Sequence, residues 1–351
     1  MSGKILIYGA NGYTAELIIE LAKNEGAKPI LAGRSLDKIV PLAQRAGCEH
    51  RAFGLEDPAA LAKGLEGVGV VLNCAGPFSR TAKAMGEACI RAKAHYLDIT
   101  GEIEVFELMA SMSKRAADAG VLLMPGTGFD VVPSDCLAAH LKRRLPDATE
   151  LTLAFQAIGR PSRGTATTMV ENIYKGGMIR RDGKLVSVPA AWQKRKIDFG
   201  RGAIDTMSIP WGDVSTAFYS TGIPNIQVFM SAPAQLQMMA TMSRYLGWLM
   251  GSGPVQSLLK KQIQAGPAGP NEQERRTGKS FLWGEAKNKA GSTKHARLTT
   301  GEGYALTAST AWEIAKRVAS GAVQPGFRTP SMAFGPDFIL DFDGVSREDL
   351  D

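Results

Sequence analysis

Short, largely apolar runs punctuate the first third of the chain, at Ile5–Tyr8, Lys28–Ala32, Val68–Asn73, His95–Ile99 and Val121–Met124. Each is the length of a buried strand. Between them, apolar positions recur at helical spacing over Thr14–Asn24, Leu36–Arg45, Pro58–Leu65, Thr81–Ala92 and Glu102–Ala119. Strands apolar on both faces, alternating with helices, predict an α/β domain built on a doubly wound parallel sheet. After Pro125 the rhythm changes. A helix over Pro133–Arg144 is expected to bridge to strands such as Glu150–Ile158, a hairpin around Arg181-Asp182-Gly183-Lys184 and a second pair around Lys289–Ser292. With helices over Thr165–Tyr174 and Tyr304–Ser320, these predict a second, α+β domain on a mixed or antiparallel sheet. The expected division is residues 1–132 and 133–351, with the C-terminal segment free to pack back on the first domain.

The stretch Ile226–Lys260 departs from both patterns. Met230, Met238, Met239, Met242 and Met250 accompany Tyr245, Leu246, Trp248 and Leu249, while Gln235, Gln237, Ser243 and Arg244 interrupt them. The interruptions argue against a transmembrane helix, which needs about 18 apolar residues in a row. Adaptable core, a subunit interface and a lipid-facing wall all remain open for such a methionine-rich stripe.

Bulk properties narrow the class. At 351 residues the chain is long enough for two domains, and its net charge of +7 favours anionic ligands in general. Its basic clusters, Lys142-Arg143-Arg144, Arg180-Arg181 and Lys194-Arg195-Lys196, fall at helix ends, turns or strands without interleaved aromatics, so a solvated face is favoured over nucleic-acid contact. The four cysteines contain no Cys-x-x-Cys pair and the four histidines are scattered, so no metal site is expected and a reducing, cytoplasmic setting fits best.

The segment Gly9-Ala10-Asn11-Gly12-Tyr13-Thr14-Ala15 stands between the first strand and the first helix. There Gly9 permits a tight turn, Gly12 permits close approach to a pyrophosphate, and the helix start with Tyr13 and Thr14 offers donors to negative charge. This is the placement of a Rossmann dinucleotide-binding loop. At the end of the second strand, where an NAD site usually carries a carboxylate, the chain has Ala32-Gly33-Arg34-Ser35, with Lys38 one turn on. A guanidinium fork and a hydroxyl suit a 2′-phosphate, so NADP(H) is the expected cofactor. Asn73-Cys74-Ala75-Gly76-Pro77-Phe78 is expected to run along the nicotinamide half, with Cys74 a small buried residue rather than a nucleophile.

Hydride transfer also requires a polarising or proton-donating group. No tyrosine is followed four residues later by lysine, which disfavours the short-chain dehydrogenase arrangement. The candidates are Asp98, Thr100 and Glu102 in one loop and Asp130, Ser134 and Asp135 in the next, of which the carboxyl groups of Asp98, Glu102, Asp130 and Asp135 are the catalytic candidates. The same side chains can instead cap helices: Glu102 at one helix start, and Asp130, Ser134 or Asp135 at another. His95 is expected within a strand, and His295, in a second-domain hairpin, is a weaker donor candidate.

Five ordered motifs, the phosphate loop, Ala32-Gly33-Arg34-Ser35, Asn73-Cys74-Ala75-Gly76-Pro77-Phe78, Tyr96-Leu97-Asp98-Ile99-Thr100-Gly101-Glu102 and Pro125-Gly126-Thr127-Gly128-Phe129-Asp130-Val131-Val132-Pro133-Ser134-Asp135, resemble the saccharopine dehydrogenase-like oxidoreductases. The branch called trans-acting enoyl reductases looks closer than the true saccharopine dehydrogenases, and weaker similarity continues in Gly164-Thr165-Ala166 and Thr300-Gly301-Glu302-Gly303-Tyr304. The chain departs from the family pattern at Asn11 and Ala15, and the basic residues for a multiply charged amino acid are not located. The resemblance implies the fold and the cofactor more than the substrate; the phosphate loop together with Arg34 leads to the expectation of an NADPH-dependent reductase of a carbonyl, imine or activated C=C bond in a moderately apolar small molecule. The competing class is a non-catalytic NADP(H)-binding sensor, or a protein making peripheral contact with a lipid surface through Ile226–Lys260. A homodimer is expected.

Overall fold

The computed structural model describes residues 3–157, 159–172, 176–231, 237–238, 240–241, 252–321 and 323–351. These form two compact units, the first comprising residues 1–132 with 304–334 and the second residues 133–303 with 335–351.

In the first unit, β1 (Lys4–Tyr8), β2 (Ile30–Gly33), β3 (His50–Ala52), β4 (Val68–Asn73), β5 (His95–Asp98) and β6 (Leu122–Met124) join strand Gly326–Phe327 in a seven-stranded sheet. Every pairing is parallel. The order β6-β5-β4-β1-β2-β3 is that of the Rossmann fold, with its switch point between β1 and β4. Leu6, Ile7, Leu31, Val70, Val71, Leu72, Tyr96 and Leu97 are wholly buried because helices cover both faces. Helix α1 (Tyr13–Asn24) buries Ala15, Ile18, Ile19 and Ala22, the three-to-four-residue recurrence visible in its sequence.

Four local differences from expectation have physical causes. β3 is short and mostly exposed at the sheet edge, so His50-Arg51-Ala52 carries no apolar run to betray it. Helix α4 (Phe78–Ala92) begins three residues earlier than its periodicity suggests, because a carboxylate from another loop caps its first turn. The expected helix Glu102–Ala119 breaks at Met112 into α5 (Ile103–Ser111) and α6 (Ser113–Asp118). There Ser113 Oγ accepts the Phe327 amide at 2.9 Å and so anchors the two-residue edge strand. The helix expected over Tyr304–Ser320 is present at Gly303–Ala319, but all except its first residue groups with the first unit instead of the second.

The second unit starts with α7 (Val132–Arg144), whose first residue is the last of the first unit. Its sheet runs β10 (Lys194–Asp198), β11 (Ala203–Ser208), β12 (Asn225–Ser231), β7 (Glu150–Ala157), β13 (Lys279–Lys287), β14 (Thr293–Gly301) and strand Ser346–Asp349. The hairpin β8 (Gly177–Arg181) and β9 (Lys184–Val188) pairs onto β12. β12 and β7 are parallel and the other pairs antiparallel, so the sheet is mixed. On one face Leu137 and Leu141 of α7 meet Gly284 and Leu153. On the other, Ala154, Ile197, Phe199, Phe229 and Trp283 form a buried cluster. Arg195 of β10 reaches Glu285 of β13 through bonds of 2.9 and 2.7 Å, so the sheet curls over this cluster.

Met230 lies in β12 and Met238 is exposed, whereas Met239, Met242, Tyr245, Leu246, Trp248, Leu249 and Met250 lie outside the described residues. Among the described residues no helix is long and apolar enough to cross a membrane.

The α7–sheet contact yields a stability test. A Cβ at Gly284 would stand 2.6 Å from Leu141 Cδ1 and 3.3 Å from both Leu137 Cδ2 and Leu153 Cδ2. Gly284→Ala is therefore expected to lower unfolding free energy by about 1–3 kcal/mol, measured by urea denaturation, and an unchanged midpoint would contradict this packing.

Candidate functional site

The parallel strands of the first unit end level with one another. Tyr8 is in register with Asn73, and Asn73 with Asp98, so the loops after β1, β4 and β5 leave one sheet edge side by side. Ligands of open α/β sheets sit at this carboxyl edge.

At the end of β1 the chain turns through Gly9 (φ +77°), and a Cβ there would lie 2.8 Å from the Ala75 nitrogen. The turn and the β4 loop are thus too close for any other residue. The Gly12 amide closes the turn onto the Gly9 carbonyl at 2.9 Å, and Glu16 N–H begins the helical ladder at the Gly12 carbonyl. Gly12 is the N-cap of α1, and no side chain caps this helix. Its opening turn, containing Tyr13, Thr14 and Ala15, therefore presents amides and the positive end of the helix dipole to an anion. Ala15 is fully buried, so the methyl group fits where the family pattern has glycine.

Beside it, α2 (Leu36–Ala46) starts after Ser35, again without a side-chain cap. Gly33 is buried at the end of β2, with Asn11 Oδ1 lying 3.8 Å from where its Cβ would stand. Arg34, Ser35 and Lys38 are exposed. No hydrogen bond or ion pair engages the Arg34 guanidinium among the described residues. A 2′-phosphate would find there an exposed cation, a hydroxyl and the open start of α2.

The β4 loop is built differently. Asn73 is fully buried; its Oδ1 accepts the Ala75 amide at 3.1 Å, and its Nδ2 donates to Thr81 Oγ1 and to the Tyr96 hydroxyl at 3.2 and 3.3 Å. Thr81 in turn donates to the Ala75 carbonyl at 2.8 Å. Gly76 is exposed, Cys74, Ala75, Pro77 and Phe78 are partly so, and the Gly76–Pro77 peptide is cis. Burial, with the Asp98 charge adding to it, pushes the Cys74 thiol far above its ordinary pKa, which suits a packing residue and not a nucleophile.

The four carboxyl candidates separate into distinct environments. Asp98 has no exposed surface; it accepts the Tyr96 hydroxyl at 2.7 Å and the Thr100 and Gly126 amides at 3.0 and 2.9 Å. Its carbonyl accepts both the amide and the hydroxyl of Thr127. Burial raises its pKa to about 6 while those donors pull it back. Asp98 is thus a positioning residue that joins the loops after β5 and β6. Glu102 places its two oxygens on the Phe78 and Ser79 amides at 2.8 and 2.9 Å, which makes it the cap of α4 and not of the helix it precedes. Asp135 is fully buried in the first turn of α7 and groups with the second unit.

Asp130 is the fourth candidate. It is half-buried at the end of the β6 loop, close enough to Gly101 that a Cβ there would meet its Oδ2 at 2.8 Å. Burial raises its pKa to about 7. His95 lies in β5 and accepts the Leu122 amide, and burial keeps its imidazole below the ordinary pKa. His295 is held between Glu285 and Asp351 in the second unit.

Several contributors were not singled out from the sequence. Tyr96 and Thr81 complete the buried network, and Tyr304, Thr307 and Thr310 reach these loops from more than 150 residues away in sequence, beginning at a motif whose similarity was weak.

Comparison with known proteins agrees with this geometry. Residues 5–124 match the family model of the saccharopine dehydrogenase NADP binding domain. The bovine (Bos taurus) saccharopine dehydrogenase-like oxidoreductase is 26% identical over 246 residues, covering 60% of this chain and 57% of that protein. The trans-acting enoyl reductase of Mycobacterium ulcerans is 32% identical over 149 residues, covering 40% and 36% respectively. The matches thus span little more than half of the first relative's length and about a third of the second's. In fold, the chain is similar to apo histidine-tagged saccharopine dehydrogenase (L-Glu forming) from Saccharomyces cerevisiae, with a TM-score of 0.65 over 99% of this chain and 100% of that one at 12% identity.

Asp130 carries a pH signature. In the folded chain it keeps its proton up to about pH 7, whereas the unfolded chain releases it near the ordinary value of 3.8. The native state therefore binds more protons across that window, and the contribution of Asp130 to stability is lost as pH rises through it. Asp130→Asn does not titrate, so in melts at about pH 4, 6 and 8 the variant's Tm is expected to gain on the parent's as pH rises. A difference that stays constant across the series would show that the carboxyl is not held protonated.

Proposed function

We propose that this chain, whose residues 5–124 form a saccharopine dehydrogenase-like NADP-binding domain, is an NADPH-dependent reductase of a carbonyl, imine or activated C=C bond. The observation that carries the proposal is the uncapped start of α1 at the β1/β4 switch point, flanked by an Arg34 that no acidic group engages among the described residues. An open helix start suits a pyrophosphate, and an unengaged guanidinium suits the extra phosphate that distinguishes NADPH.

The residues present fit this cofactor. Gly9 and Gly12 keep side chains away from the pyrophosphate, the first turn of α1 holds it, and Arg34 and Ser35 select the 2′-phosphate. Asn73 fixes the Ala75–Phe78 backbone that borders the nicotinamide half. When bound, the nicotinamide supplies the hydride. Asp130, protonated near neutral pH and placed at the same sheet edge, supplies the proton to the heteroatom or carbon that receives electron density. Asp98 holds the two loops that flank it, and Glu102 keeps the start of α4 closed to competing anions.

Fluorescence titration with NADPH and NADH tests the cofactor assignment. NADPH is expected to bind more tightly than NADH, and Arg34→Ala to weaken NADPH by about 10–100-fold, the range of a hydrogen bond to a charged group, while leaving NADH within about twofold. Equal affinities in the parent protein, with neither changed in the variant, would overturn it.

A further inference from the structure

Helix Gly303–Ala319 touches two loops of the site through different side chains. At its beginning, the Tyr304 ring meets Tyr13 of the phosphate loop edge-on, with centroids 5.3 Å apart at 85°. Further along, Trp312 Nε1 and Lys316 Nζ donate to Glu25, the C-cap of α1, at 2.8 and 2.9 Å. The same sequence offset separates Tyr13 from Tyr304 and Glu25 from Lys316. The two helices therefore lie side by side and parallel, matched at both ends. A third set of contacts grips the Asp130 loop: Thr307 Oγ1 accepts the Phe129 amide at 2.9 Å, and Thr310 Oγ1 donates to the Thr127 carbonyl at 2.8 Å. The fit is tight, since a Cβ on Gly128 would stand 2.6 Å from Thr307 Cγ2.

We infer that helix Gly303–Ala319 is the rigid strut that sets the phosphate loop and the Asp130 loop relative to each other, with Tyr304 positioning the NADPH pyrophosphate site through Tyr13 and Thr307 positioning Asp130 through the Phe129 amide. The helix is suited to the task because its lower half is locked to α1 by Glu25 and its middle is buried, with Thr307, Thr310, Ala311 and Trp312 all in the interior. A shift of its first turn changes the packing against Tyr13, whose own backbone belongs to the opening turn of α1. A shift at Thr307 leaves a loop amide without its acceptor. The first role concerns cofactor affinity and the second concerns chemistry, so one helix serves two separable functions. The nucleotide part of this inference rests on the proposed NADPH site; the mechanical part does not.

The test uses the full chain and two readouts. In fluorescence titrations, Tyr304→Leu is expected to weaken NADPH about three- to tenfold, Tyr304→Phe to bind as the parent does, and Thr307→Val to stay within about twofold, following the strength of an aromatic pair beyond its area. A double-mutant cycle with Tyr13→Leu is expected to be non-additive, because Tyr304 acts through Tyr13. In hydrogen exchange without nucleotide, Tyr304→Leu is expected to speed exchange in residues 12–16, and Thr307→Val to speed it at 126–131, with Thr307→Ser restoring the parent rate. If the parent protein fails to bind NADPH, the cofactor reading falls, while the exchange experiment still decides the strut. If the parent binds but Tyr304→Leu matches it in affinity and exchange, or the cycle is additive, the strut is overturned. Equal exchange changes in both loops from either substitution would indicate general loosening and would likewise overturn the separate roles.

Discussion

Burying the Asp98 carboxylate removes its hydration, a cost that only well-placed donors offset, and the donors it finds come from three different stretches of chain. Tyr96 belongs to its own strand, Thr100 to the loop after it and Gly126 to the loop after β6. Through the Tyr96 hydroxyl the chain of polar contacts continues to Asn73 and Thr81, and so to the backbone at Ala75. The ends of β4, β5 and β6 are thereby fixed to one another at the carboxyl edge of the sheet. Polar groups connected in this way are demanding, because an unsatisfied member in a low-dielectric interior costs more than its bond contributes. The loops after these strands need such a frame, since they have no secondary structure of their own to hold them.

Two helix N-termini follow strands at the switch point, and the structure treats them oppositely. The start of α4 receives the Glu102 carboxylate, which satisfies two amides and supplies the negative charge that a helix dipole favours. The start of α1 receives no side chain. Of these two helix starts only that of α1 is open to an anion, so the two are distinguished by exclusion as well as by attraction. Glu102, a candidate for catalysis or capping, has both oxygens engaged as the cap of α4.

The central strands and crossover helices of the first unit were legible because burial on both sheet faces demands continuous apolar runs, and helices covering those faces demand apolar recurrence at three to four residues. His50-Arg51-Ala52 and Gly326-Phe327 were not legible. The first pairs at an exposed edge without apolar side chains, and the second is two residues whose place depends on Ser113 far away in sequence. The glycine turn and Arg34 could be placed from the sequence, since strand, turn and helix occur in order there. The distinction among Asp98, Glu102 and Asp130 could not, because it rests on which amides each carboxylate meets, and those amides come from other loops. Tyr304 and Thr307 were hidden for a similar reason: side chains that act across a fold leave no local spacing to detect.

The net positive charge of the chain says little about where an anion binds until its cations are followed to their partners. In the second unit Arg195 pairs with Glu285, Arg297 with Asp198, Arg143 and Arg347 with Asp337, and Arg144 with Asp349 and Asp351. These pairs hold the curled sheet, α7 and the C-terminal strand together, so the arginines of the basic clusters, Arg143, Arg144 and Arg195, are committed to structure. Arg34 stands at the end of a strand whose neighbours contain no carboxylate bonded to it, next to a helix start that is also open. Charge balanced within the protein contributes little to binding a ligand, because the ligand must displace an existing partner. A cation without such a partner does not carry that cost, which sets the exposed Arg34 apart from the paired arginines of the second unit.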